Sequence, residues 1–122
     1  MWYTAHPFRH AADLGVVDVL QPDIEWVGGL TPTLQVAEIA ADAGLDLALH
    51  LGTNDCYGQH ACFALPGCTW GEFFIGSSPG ESLMNAYRGM PGMALPVDGR
   101  VVPSDAPGFG IELTLDDIQA AT

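Results

Sequence analysis

Three short apolar runs punctuate the first 75 residues, and each carries a polar residue at or near its end. They are Val17 to Asp23 (VDVLQPD), Leu45 to His50 (LDLALH) and Thr69 to Ile75 (TWGEFFI). Their length and apolar content predict strands. Helical patterns stand before and between them. Pro7 suits the opening of a short helix and Gly15 its close. After the first run, Gly28-Gly29 predicts a tight turn, Thr31 is a good N-cap and Pro32 stands at the first helical position. Leu34, Ala37, Ala40 and Ala41 then line one helical face, with Gly44 as the stop. Beyond the second run, the polar loop LGTND leads into a helix over about Asp55 to Leu65, ended by Pro66-Gly67. Strand and helix alternate at roughly 25-residue intervals, the pattern of parallel βαβ units.

From Gly76 the pattern changes. Gly and Pro are dense through SSPGES, RGMPGMALP and SDAPGFG, which predicts irregular chain over a surface. Within it, Asp98-Gly99 between short apolar arms predicts a hairpin over Pro96 to Val101. Thr114 can cap a last short helix, LDDIQAA.

Composition narrows the function classes. In 122 residues, 48% are hydrophobic and 15% charged, so the chain can bury a core and is not disordered by composition. It has three Arg, no Lys and fifteen Asp plus Glu, a formal net charge of −12. Nucleic acid is excluded, because a binder needs cations along the phosphate track. Anionic membrane surfaces are disfavoured for the same reason. Without lysine there is no lysine base or Schiff base in this chain. Three cysteines without a CxxC pair argue against a disulfide framework and for a reducing compartment. The N-terminus lacks the apolar run of a signal peptide, and no stretch nears the roughly 20 apolar residues that span a bilayer. A soluble, cytoplasmic chain is expected.

In a parallel sheet the C-terminal strand ends share one edge, where ligands bind. Asp23, His50 and Glu72 stand at those three ends. Neighbouring strands lie about 4.8 Å apart, so Asp23 and His50, one βαβ step apart, are within hydrogen-bonding reach. A carboxylate beside an imidazole fixes its tautomer and raises its basicity, as a general base requires. Each residue also has a plainer reading: Asp23 as a turn former or helix cap, and His50 as a satisfied structural histidine. Glu25, two residues past Asp23, is a rival carboxylate.

Other groupings carry less. His50, Cys56, His60, Cys62 and Cys68 are zinc-ligand types, but their spacing matches no common zinc pattern, and cysteines packing as small apolar residues is the better account. His6 and His10 share a helix face without further ligands nearby, which favours surface or packing roles. Gly28-Gly29 is no dinucleotide fingerprint, since GxGxxG is absent. Trp26 and Trp70 read as packing aromatics.

The phrases DVLQPDIEWVGGLT, ALHLGTNDCYGQHA, WGEFF and PVDGRVV…APGFGIEL, in this order, resemble the C-terminal part of an enolase-superfamily enzyme. Within it the nearest likeness is to the mandelate-racemase-like acid-sugar dehydratases, with L-rhamnonate the first choice of substrate. The resemblance spans nearly the whole chain. It implies an α/β fold, the C-terminal part of a (β/α) TIM-type barrel of about three βα units, followed by an irregular C-terminal crossover segment. Residues 1–75 would be the partial barrel, strands six to eight, and residues 76–122 the crossover with its hairpin, packing on the barrel or capping domain. The resemblance makes His50 the base that takes the α-proton of a sugar acid, with Asp23 orienting it and Glu72 hydrogen-bonding the enolate-like intermediate. The β-hydroxyl then leaves, giving a 2-keto-3-deoxy acid. Mg²⁺ is the implied cofactor, stabilising the enediolate. The family's metal-binding carboxylates, on strands three to five, would precede Met1, so these residues are expected to be a fragment, inactive alone, that associates through an exposed barrel edge. The family's usual Pro-His-Gly reads Leu49-His50-Leu51-Gly52 here, so a different local backbone is expected at the base. Three alternatives stand beside this reading: a racemase or epimerase of the same superfamily, a non-catalytic association module, and a zinc domain built on the Cys/His set.

Overall fold

A computed structural model of the chain describes residues 2–75, 79–80 and 90–120. In chain order its elements are α1 (His6–Leu14), β1 (Val19–Leu20), α2 (Ile24–Val27), α3 (Leu30–Ala43), β2 (Asp46–Leu47), α4 (Cys56–Ala64) and α5 (Leu115–Ala120). β1 and β2 pair in parallel with Val19 opposite Asp46 and Leu20 opposite Leu47. The order β1–α3–β2, with parallel strands, is the βαβ unit that the alternating pattern predicts. Much of the predicted irregular stretch between Gly76 and Gly89 lies outside the described residues.

The helix stops follow the local chemistry. α1 has Pro7 in its first turn and ends on Gly15 at φ 63°, and α3 ends on Gly44 at φ 66°. Both glycines adopt the left-handed conformation that closes a helix by bonding its last free carbonyls. The start of α3 differs from the expected Thr31 cap. Gly28 and Gly29 both take positive φ, and the helix begins two residues earlier than expected, at Leu30, with Gly29 as its N-cap. Pro32 is still tolerated, because the first-turn N–H groups of a helix have no intrahelical partner. The buried face is also rotated from the expected one. Thr33, Val36, Ala37, Ile39 and Ala40 face inward, whereas Leu34 and Ala41 are exposed.

α3 packs over both strands and against α1. The core gathers Phe8 from α1, Leu20 from β1, Val36, Ile39 and Ala40 from α3, Leu47 and Leu49 at β2, and Ala61 and Leu65 at the end of α4. Leu20, Leu47 and Leu49 are almost completely removed from solvent. Each such side chain contributes roughly 1.5–3 kcal/mol by burial.

The third predicted strand does not join the ladder. On one edge of the second run, Asp46, Ala48 and His50 donate their N–H groups to the carbonyls of Asp18, Leu20 and Pro22 at 3.1, 3.1 and 2.9 Å. On the other edge the acceptors are mixed. Leu47 N–H reaches Gly67 O at 3.4 Å, Leu51 N–H reaches the Glu72 carboxylate at 2.8 Å, and Thr53 N–H reaches Glu72 O at 3.1 Å. Thr69–Ile75 thus lies alongside in the same direction, held partly by side chains, and no regular strand results.

The C-terminal segment is fastened by one buried amide. Gln59 on α4 donates to Thr53 O at 2.9 Å and Ala94 O at 2.7 Å, and accepts from Ala94 N–H at 3.1 Å. The predicted hairpin forms: Val97 and Arg100 bridge around Asp98 and Gly99, whose φ values of 50° and 73° suit a primed two-residue turn. Thr114 and Asp117 exchange hydrogen bonds at the start of α5, as the predicted cap requires. Among the described residues, no helix is long and apolar enough to cross a membrane.

Gly58 marks the tightest approach near the site. A Cβ there would sit 2.4 Å from the carbonyl oxygen of Gly52. Gly58→Ala should therefore destabilise the chain by about 1–3 kcal/mol, since backbone has to move to admit the methyl. Urea unfolding with an unchanged m-value would record it; wild-type stability in the alanine variant would contradict the packing described.

Candidate active site

The parallel register of β1 and β2 brings two strand ends together. His50 N–H donates to Pro22 O, which places Asp23 and His50 side by side just past the ladder. His50 Nδ1 lies 2.9 Å from Asp23 Oδ2. The other oxygen of the same carboxylate, Oδ1, accepts from the N–H groups of Glu25 at 2.8 Å and Trp26 at 3.0 Å, so Asp23 is also the N-cap of α2. The cap reading and the His-partner reading are both true of this residue. Its side chain is only 16% exposed, while that of His50 is 48% exposed. The arrangement favours the Nδ1–H tautomer and leaves Nε2 with the lone pair that can accept a proton.

Glu72 is brought to the same edge from the third segment. Its Oε2 accepts from Leu51 N–H at 2.8 Å and from Gln21 Nε2 at 3.2 Å. Leu51 is a non-glycine residue at φ 51°, a conformation that costs an L-residue about 1–2 kcal/mol. It turns the N–H after His50 toward Glu72.

Glu25, the rival carboxylate, is committed elsewhere. It accepts from the Tyr57 hydroxyl, tying α2 to α4, and burial together with that bond pushes the Tyr57 phenol well above its ordinary range. Sequence reading missed Gln21 and Tyr57. For Gln21 a signal existed, since it stands two residues before Asp23 and alternation puts both on one face while Leu20 and Pro22 are buried. For Tyr57 no local signal existed, because its partner lies 32 residues away.

Two cavities flank the His50–Asp23 pair. One, of about 450 Å³, is lined by Gln21, Asp23, Trp26 and His50 together with apolar side chains that include Trp2 and Phe8. The other, of about 190 Å³, is lined by Asp23, Glu25, His50, Leu51, Asn54 and Asp55. Trp26 and Trp70, expected as packing aromatics, are 44% and 77% exposed in this chain; Trp26 lies against the ring of Tyr3 and lines the 450 Å³ cavity. His6 and His10 lie on the surface. Of the Cys/His set, Cys62 and Cys68 line one cavity, Cys68 Sγ lying 3.8 Å from the Trp70 carbonyl, whereas Cys56 is buried against the carbonyl of Pro91 at 4.0 Å.

The described residues do not form a metal shell. No group of three or more His, Cys, Asp or Glu among them could hold an ion, which covers both Mg²⁺ and the zinc alternative.

Residues 1–118 match the model of the family described as enolase C-terminal domain-like. The chain belongs to this family. A protein of Caldivirga maquilingensis provisionally named an L-rhamnonate dehydratase is 32% identical over 114 residues, covering 93% of this chain and 28% of that protein. The crystal structure of rhamnonate dehydratase from Gibberella zeae complexed with Mg superposes with a TM-score of 0.80 at 27% identity, over 96% of this chain and 29% of that one. That of L-talarate dehydratase from Polaromonas sp. JS666, complexed with Mg and L-glucarate, gives 0.70 at 26% identity, over 98% and 30%. This chain therefore spans under a third of the length of these relatives. Its fold is that of the enolase C-terminal, TIM-barrel-like domain.

Asp55 titrates within the smaller cavity. Burial raises its carboxyl from 3.8 to about 6, against the opposing pull of the Gly58 N–H that it caps; Glu25 and Asp23 add to the rise. A folded value above the unfolded one means that the folded chain holds this proton longer. The contribution to stability is complete below pH 3.8 and is lost as pH climbs through about 6. Thermal melts from pH 4 to 7 should show the wild type losing stability relative to Asp55→Asn across that window. Parallel curves would contradict the assignment.

Proposed function

We propose that this chain is the C-terminal part of a Mg²⁺-dependent acid-sugar dehydratase, with His50 as the general base. The observation that carries the reading is the hydrogen bond between His50 Nδ1 and Asp23 Oδ2 at 2.9 Å, at adjacent strand ends beside a cavity. His50 Nε2 takes the α-proton of the sugar-acid carboxylate. Asp23 holds the ring in its tautomer and stabilises the imidazolium that forms. Glu72 hydrogen-bonds the enolate-like intermediate, and the β-hydroxyl leaves to give a 2-keto-3-deoxy acid. Mg²⁺ supplies Lewis-acid stabilisation of an enediolate in such chemistry. The ion enters only as a component of the complete enzyme, bound by groups other than those described.

The same reading divides the chain. Residues 1–75 are barrel strands six to eight with their helices, and 76–122 are a crossover that packs back on barrel or capping domain. L-Rhamnonate is the first substrate to try, supported by the names of the C. maquilingensis and G. zeae relatives. Exposed Trp2, Val19 and Trp26 beside the β1 edge suit burial against further barrel units or a partner copy, in a cytoplasmic setting.

The test is proton abstraction in the intact protein that carries this chain. With L-rhamnonate and Mg²⁺ in deuterated water, the wild type should dehydrate substrate, and His50→Asn should lower that rate by about 10²–10⁴-fold without unfolding. Unchanged turnover or unchanged α-carbon exchange in the variant would remove His50 from the base role. Racemisation without loss of water would move the reading to a racemase.

A further inference from the structure

Residue 25 is held from two sides. Its N–H donates to Asp23 Oδ1 at 2.8 Å, and its side-chain carboxylate accepts from the Tyr57 hydroxyl on α4. The helix it belongs to, α2, has four residues, far too few to keep its shape by internal hydrogen bonds. Its first turn is fixed from outside, by the burial of Ile24 and Val27, by Asp23 as its cap and by Tyr57 from the other helix. Tyr57 is itself firmly placed. It is the second residue of α4, whose first turn is closed by Asp55 accepting from Gly58 N–H, and Gly58 leaves no room for a side chain against the Gly52 carbonyl. The Tyr57 ring stands edge-on to Phe109, with centroids 6.4 Å apart and planes at 77°. Burial and the bond to Glu25 push the phenol up, so the hydroxyl keeps its proton, and remains a donor, through neutral pH.

We propose that Tyr57 is a positioning residue for the reaction: through Glu25 its hydroxyl fixes the first turn of α2, and with it the Asp23 carboxylate that holds His50. This role rests on the reading of His50 as the base. Three hydrogen bonds make the path, from the Tyr57 hydroxyl to the Glu25 carboxylate, from Glu25 N–H to Asp23 Oδ1, and between Asp23 Oδ2 and His50 Nδ1 at 2.9 Å. Without the hydroxyl Glu25 loses its anchor, the N–H on Oδ1 moves with it, and Oδ2 no longer meets the imidazole from one direction. The bond has a second effect. Glu25 and His50 line the same cavity of about 190 Å³, and a carboxylate not engaged by Tyr57 would be loose in the space beside the ring. There it can accept from an Nε2–H and favour the tautomer that is useless for proton abstraction. Tyr57 touches no reacting atom; it acts on the orientation of the base, which weighs on the chemical step more than on substrate binding.

The test uses the intact protein that carries this chain, with Tyr57→Phe, which removes the hydroxyl and keeps a ring against Phe109. The expected result is a kcat lower by about tenfold or more with KM close to wild type. The neutral His50 ring should also lose its Nδ1–H preference in long-range ¹H–¹⁵N spectra. Glu25→Ala should give the same losses, and the double variant no more than either alone, because both cut one bond. Glu25→Gln, whose amide oxygen still accepts from the phenol, should recover most of what the alanine loses. Glu25→Ala and Glu25→Gln carry the test by themselves if the phenylalanine variant does not fold. Unchanged kcat and tautomer in Tyr57→Phe, losses that add in the double variant, or no recovery with Glu25→Gln would each overturn the proposal. His50→Asn separates the two assignments. Turnover that survives it removes the base, and this role with it; turnover lost in His50→Asn yet intact in Tyr57→Phe removes the role of Tyr57 alone.

Discussion

One carboxylate serves two elements at once. Asp23 Oδ1 closes the first turn of α2, and Asp23 Oδ2 holds the imidazole of His50. A freely rotating aspartate would not define the ring's orientation. The two backbone N–H groups on Oδ1 fix the carboxylate plane, so that Oδ2 has one direction in which to accept. The parallel register supplies the rest, since the Pro22 carbonyl accepts the His50 N–H and sets the two residues abreast. The cap of a four-residue helix is thereby part of the apparatus that orients the proposed base.

The same economy governs the edge beyond His50. A regular third strand would offer carbonyls to Leu47, Leu49 and Leu51. Here the acceptors are the Gly67 carbonyl for Leu47 and the Glu72 carboxylate for Leu51. Side chains standing in for backbone bring Glu72 within reach of Leu51 and Gln21. They also explain why a segment rich in strand-forming residues is not in the ladder.

Much of this was legible in the residues. Pro7, Gly15 and Gly44 mark helix ends because their backbone preferences act locally, and Asp98-Gly99 makes its hairpin for the same reason. Asp23 and His50 were legible as neighbours because strand spacing is nearly constant. What was not legible depends on distant partners. The rotated face of α3 follows from how it settles on β1, β2 and α1, and its start at Leu30 follows from the two positive-φ glycines before it. Glu25 could not be told from Asp23 until Tyr57, on another helix, claimed it.

The account stands or falls on which ring nitrogen of His50 carries the proton. Long-range ¹H–¹⁵N correlation spectra of the neutral imidazole would read it directly. The account predicts Nδ1–H, with Nε2 bare, and loss of that preference in Asp23→Ala. A neutral ring protonated at Nε2, or a tautomer indifferent to Asp23, would contradict it.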